Sequence, residues 1–148
     1  MIVRPLYGGT ELSCPAHARL TIPQFSAMMA EVLLVRGDVD GAESWLKNAI
    51  EFERTRDDLY FTSEVHRLSA RCLVRRDRLD EACAQLRVAI DLARAQGAAT
   101  FELRATLNLA DINPREGATA VREAFEKLPE PEPWPDVDAA RALVNLSA

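Results

Sequence analysis

The sequence repeats itself at a fixed offset of 40 residues. Ala30, Leu33, Arg36, Asp40, Ala42, Leu46, Ala49, Ile50, Arg54 and Phe61 are identical to Ala70, Leu73, Arg76, Asp80, Ala82, Leu86, Ala89, Ile90, Arg94 and Phe101. Identities sustained at one offset mark an internal repeat, and a unit this short must stack on its neighbours to bury its apolar face. The second copy is plainest over Arg78–Arg94, where neither Gly nor Pro occurs. Leu79, Ala82, Leu86, Ala89, Ile90 and Ala93 recur there at steps of three and four, which draws one apolar stripe along a helix. No stretch alternates as a strand would. The expected fold is therefore all-α, an antiparallel helical-hairpin solenoid of about seven helices.

Turn and cap residues divide the chain. Residues 1–20, with Pro5, Gly8, Gly9 and Pro15, read as an irregular arm in which Leu6, Tyr7 and Leu12 are free to pack. Three repeats follow, at about 21–57, 58–97 and 98–128, with a terminal helix over 136–146. Thr21-Ile22-Pro23-Gln24 predicts a helix start near Ile22, and Gly37 its end. A second helix is expected over Val39–Arg54, and a third from Leu59, capped by Asp58, to Arg76. The fourth ends at Gly97 and the fifth runs from Ala98 to Ile112. Asn113-Pro114-Arg115-Glu116 predicts the sixth, which reaches Leu128 with a first turn weakened by Gly117. The prolines from Pro129 to Pro135 form a connector, and Asp136 caps the last helix.

The net charge of −5 disfavours nucleic-acid backbone and anionic membranes as partners. No apolar run approaches the roughly 20 residues of a membrane span, and the first residues lack the apolar stretch of a signal peptide. Cys14, Cys72 and Cys83 form no C-x-x-C, so a reduced, cytoplasmic setting is expected.

The helical pattern resembles the tetratricopeptide repeat. The first unit supplies Ser26, Met29, Ala30 and Leu33, then Ala42, Leu46 and Ala49; the second supplies His66, Ser69, Ala70 and Leu73, then Ala82, Leu86 and Ala89. The period of 40 exceeds the ~34 of that family, its Trp is missing and no Pro ends the second helix. HEAT-type repeats have a compatible length. A closer resemblance spans about 16–146. Glu64–Leu68, Ile90–Gly97, Phe101–Ala105 and the segment from Pro135 to Val144 look like the carboxy-terminal helical repeats of bacterial signalling proteins. Those proteins join an ATPase core to an adenylate-cyclase-like or transcription-factor domain, and neither part occurs here. The resemblance implies a non-enzymatic protein–protein interaction module, a regulatory or scaffold element of a signalling system. It also allows a sensor that binds a small effector between repeats.

The residues assemble no catalytic, cofactor or metal site. Gly8-Gly9-Thr10 lacks the lysine of a phosphate loop. His66 and Cys72 stand six residues apart, about 120° from facing each other on a helix, which argues against a nucleophilic dyad. Arg67, Arg71 and Arg75 step by four along the third helix beside Glu64. On the concave face of a solenoid they would grip carboxylates of an acidic protein or peptide; otherwise they pair with neighbours such as Glu31 and Glu64. The first helix carries more apolar residues than one stripe buries. Phe25, Met28, Val32 and Val35 are its candidate interface, covered by the arm or, in preference, by a second copy in a two-fold homodimer.

Overall fold

The computed structural model describes residues 16–53, 61–129 and 134–146, with side chains over 22–52, 61–129 and 134–145. Seven helices and no strand lie among them: α1 (Ala16–Val35), α2 (Val39–Glu53), α3 (Thr62–Arg75), α4 (Leu79–Gln96), α5 (Ala99–Ile112), α6 (Pro114–Glu126) and α7 (Pro135–Leu146). Leu6, Tyr7, Leu12, Cys14 and Asp58 lie outside the described residues.

The turns that close the first two hairpins are built at the same repeat position. Gly37 after α1 has φ 81° and Asp77 after α3 has φ 60°, both left-handed. Glycine takes that conformation freely, and aspartate is among the few side chains that tolerate it. Asp38 then caps α2, its Oδ1 accepting from the Gly41 N–H at 2.9 Å. Gly97 ends α4 in the left-handed conformation, as its place in the sequence predicts. The Asn113 cap also forms: its Oδ1 accepts from the Glu116 N–H at 3.3 Å, with Pro114 opening α6.

Three boundaries differ from expectation. Helix α1 starts at Ala16, not near Ile22, so the arm read over 1–20 is helical from residue 16. Pro23 sits inside α1, where its missing N–H leaves one ladder bond unmade; Thr21-Ile22-Pro23-Gln24 imitates a helix start without being one. Helix α3 begins after Phe61, which supplies no side-chain cap. Asp136 lies in the first turn of α7, which Pro135 opens.

Each helix packs on its chain neighbour, and the odd helices also pack on one another, α1 on α3, α3 on α5 and α5 on α7. Among the described residues the even helices do not pack backbone to backbone on one another; α4 and α6 meet through side chains alone, Arg87 with Glu116 and Arg94 with Glu123. The core follows the repeat: one buried cluster joins α1, α2 and α3, the next α3, α4 and α5, the last α5, α6 and α7. Ala30, Ala42, Ala70 and Ala82 are wholly buried at these crossings, where only short side chains let helices approach. Gly117 serves the same end. A Cβ there would stand 2.2 Å from Ala110 Cα, so the glycine that weakens the first turn of α6 lets α6 close on α5.

Equivalent residues of successive units meet. The rings of Phe61 and Phe101 meet at a tilt of 54° with centroids 5.4 Å apart, Arg71 bonds Glu31 at 3.1 Å, and Arg104 bonds Glu64 at 2.9 Å. Each of those pairs is separated by the repeat length of 40 residues.

Candidate functional site

The odd-helix layer carries the arginine row, and the neighbouring helices consume most of it. Arg67 and Glu64 are only 3% and 4% exposed, which removes both from a surface available to partners. Arg67 grips Glu64 with two bonds of 2.9 Å, donates to Asn108 at 3.1 Å and reaches Glu31 at 3.5 Å. Burial alone would push the Arg67 guanidinium down; the hydrogen bond and charge of Glu64, with Glu31 behind them, outweigh it and hold it above its ordinary value. Arg104 of α5 closes the network through Glu64 at 2.9 Å and Asp136 of α7 at 3.5 Å. The network ties α1, α3, α5 and α7 together.

Arg71 and Arg75 lie further toward the end of α3. Arg71 is half-buried and bonded to Glu31. Its guanidinium is held below the usual value, first by burial and then by the charge of Arg67, against the pull of Glu31. Arg75 is exposed, and among the described residues it has no ion pair. The four residues thus separate into a buried structural pair and an accessible one. Glu31 and Glu64 are the neighbours expected to pair with the row, and the structure pairs them with it. Arg104, Asp111 and, beyond its capping place, Asp136 carry no such expectation, although the opposite charges of Glu64 and Arg104 at the repeat offset are a signal for Arg104.

His66 Nδ1 lies 2.7 Å from Gln85 Oε1. Cys72 is buried, and burial, helped by the charge of Glu43, pushes its thiol up to about 11. A thiol held protonated at neutral pH is a poor nucleophile. Among the described residues no cluster of His, Cys, Asp and Glu could hold a metal ion, and no helix is long and apolar enough to cross a membrane.

The second surface is the outer face of α1. Phe25, Met28, Val32 and Val35 are each more than half exposed, with Ile22 beside them and the Trp45 ring edge-on to Phe25 at 5.8 Å. In repeat register, Phe25, Met28 and Val32 correspond to Val65, Leu68 and Cys72 of α3. Those three are sealed in the cluster that α3 shares with α1 and α2. The outer face of α1 therefore presents the same positions that α3 uses to dock on the unit before it. No family model, curated protein or solved structure matches the chain.

Proposed function

We propose that the chain is a non-enzymatic protein–protein interaction module of tetratricopeptide type, a short solenoid that serves as a regulatory or scaffold element of a bacterial signalling system. The observation that carries this reading is the outer face of α1, where docking positions of the repeat lie uncovered among the described residues. Large apolar side chains gathered on one face mark an interaction site more often than an inert surface.

The occupant is a second copy of the chain. Phe25, Met28, Val32 and Val35 follow the three-four-three spacing of a seam between paired helices. The exposed residues from Ile22 to Val35 are Ile22, Gln24, Phe25, Met28, Val32 and Val35, none of them charged. A two-fold contact sets like against like, and here it brings no charges together. The free, buried thiols of Cys72 and Cys83 accord with the reducing cytoplasm. The small-effector reading draws less support. A groove of about 540 Å³ between α4 and α6 is open and edged by Arg87, Arg94, Arg115 and Glu123, whereas effector pockets are mostly apolar and enclose their ligand.

Light scattering tests the reading. The parent should have twice the chain mass at micromolar concentration and keep it when residues 1–15 are deleted. Val32→Glu should give a folded monomer, because the side chain is exposed within one copy. A parent that stays monomeric at tens of micromolar overturns the dimer.

A further inference from the structure

A groove of about 290 Å³ opens between the last turns of α3, the first turn of α4 and the last turn of α5. Its walls are apolar, with Val74, Leu79 and Ile112 at the surface and Leu86 below. Val74 and Leu79 are among the exposed large hydrophobics of the molecule. The rims carry charge: Arg71 and Arg75 on α3, Asp111 on α5.

The repeat register explains why that charge is unspent. Glu31, Arg71 and Asp111 hold one position in α1, α3 and α5. Arg71 closes the first step of this ladder on Glu31 at 3.1 Å, and the second step, from Arg71 to Asp111, stays open. Among the described residues neither Arg75 nor Asp111 takes part in an ion pair. The groove thus sets an apolar floor between a cation and an anion, each wanting a counter-charge.

We propose that this groove binds a peptide segment that lays one aliphatic side chain over Val74, Leu79 and Ile112, a carboxylate on Arg75 and a basic group on Asp111. The proposal rests on reading the chain as an interaction module. A peptide suits the groove better than a small molecule does. Small ligands need most of their surface enclosed, and sites for them run from about 300 to 1,000 Å³; this groove is at the low end and its walls are exposed. A peptide need seat only one side chain there, and the opposed charges fix its direction.

The test is a selection of random octapeptides displayed against the full chain, followed by fluorescence anisotropy on labelled copies of those enriched. The expected motif is an aliphatic residue with an acid on one side and a base on the other, in constant order. Arg75→Glu should lower the affinity of such peptides about tenfold. Val74→Asp should abolish binding. The double change Arg75→Glu with Asp111→Lys should restore binding to peptides in which acid and base are exchanged, a rescue that a merely structural role would not produce. All three positions are exposed, so the melting temperature should hold. A motif without this pattern, indifference to Arg75→Glu or failure of the exchanged peptides overturns the groove. A chain that dimerises through α1 yet enriches no peptide overturns the groove alone; one that does neither overturns both readings.

Discussion

Phe25, Met28 and Val32 of α1 hold the same repeat positions as Val65, Leu68 and Cys72 of α3, yet the first set is exposed and the second sealed. Helix propensity does not separate them, since both helices form. What differs is the neighbour: α3 lies on α1 and α2, and no described element lies on the matching face of α1. In a stacked fold, burial belongs to the interface between units and not to the unit. An apolar residue at such a position is therefore sealed or exposed according to whether a neighbouring unit lies on it. The charged positions divide in the same way. Gln24 of α1 is exposed, while its counterpart Glu64 is buried under Arg67 and Arg104.

The largest expected difference between the two units comes from this polar position. Glu64→Ala leaves the buried Arg67 guanidinium without its principal partner, and breaking a buried ion pair from one side costs roughly 3–5 kcal/mol. Gln24→Ala removes an exposed side chain and should change stability by less than ~0.5 kcal/mol. Urea denaturation of the two variants measures both. Equal losses would mean that the buried network does not distinguish the units.

The apolar positions should separate almost as widely. Leu68→Ala deletes a side chain from the α1–α2–α3 cluster and should cost about 2–5 kcal/mol. Met28→Ala, at the same repeat position, should cost under ~0.5 kcal/mol at protein concentrations too low for association. At high concentration its loss should grow, because the proposed dimer stabilises the folded chain by mass action. Thermal melts over a hundredfold dilution series check this. A Met28→Ala penalty that does not vary with concentration would place Met28 inside a single copy and remove the basis of the comparison.

Much of this was legible in the residues, and the failures have two causes. The identities at offset 40, the stop at Gly37 and the Asn113-Pro114 start are local or periodic signals, and each marks a real feature. The arginine row was legible as a face of α3 but not as a surface. Steps of four place Arg67 on one side of its own helix beside Glu64, but whether the row grips a partner or its neighbours is decided by Glu31 and Asn108 on the adjoining helices, which close over it. Reading charge across the repeat offset favours the neighbour-pairing reading and adds Arg104 to it, because Glu31 with Arg71 and Glu64 with Arg104 are opposite in sign and end in contact. The false start at Thr21-Ile22-Pro23-Gln24 fails differently. A proline tolerated within a helix carries the same local signature as one that opens a helix.

The smallest expected effect concerns charge at the next interface and carries a pH signature. Arg87 of α4 bonds Glu116 of α6 at 2.7 Å, whereas its counterpart in the first unit, Lys47 of α2, has no ion pair among the described residues. The residue that corresponds to Glu116 there is Arg76, of like charge to Lys47 and itself bound to Asp40 and Glu43. The hydrogen bond from Arg87 holds the Glu116 carboxyl below the usual carboxylate range, against a smaller upward push from burial. A carboxyl depressed on folding adds stability above its unfolded pKa of about 4.3, and that contribution disappears as the pH falls through the lower folded value. Both partners are exposed, so solvent screening keeps the contribution of the pair small. Arg87→Ala should therefore be slightly less stable than the parent at pH 7, with the gap closing as the pH drops below about 4. Lys47→Ala should show a difference that does not depend on carboxylate protonation, because no carboxylate holds Lys47. Guanidinium chloride would screen the effect, so urea titrations at a series of pH values are the measurement. A gap at Arg87 that persists to pH 2 would assign its value to packing of the arginine stem and not to the ion pair.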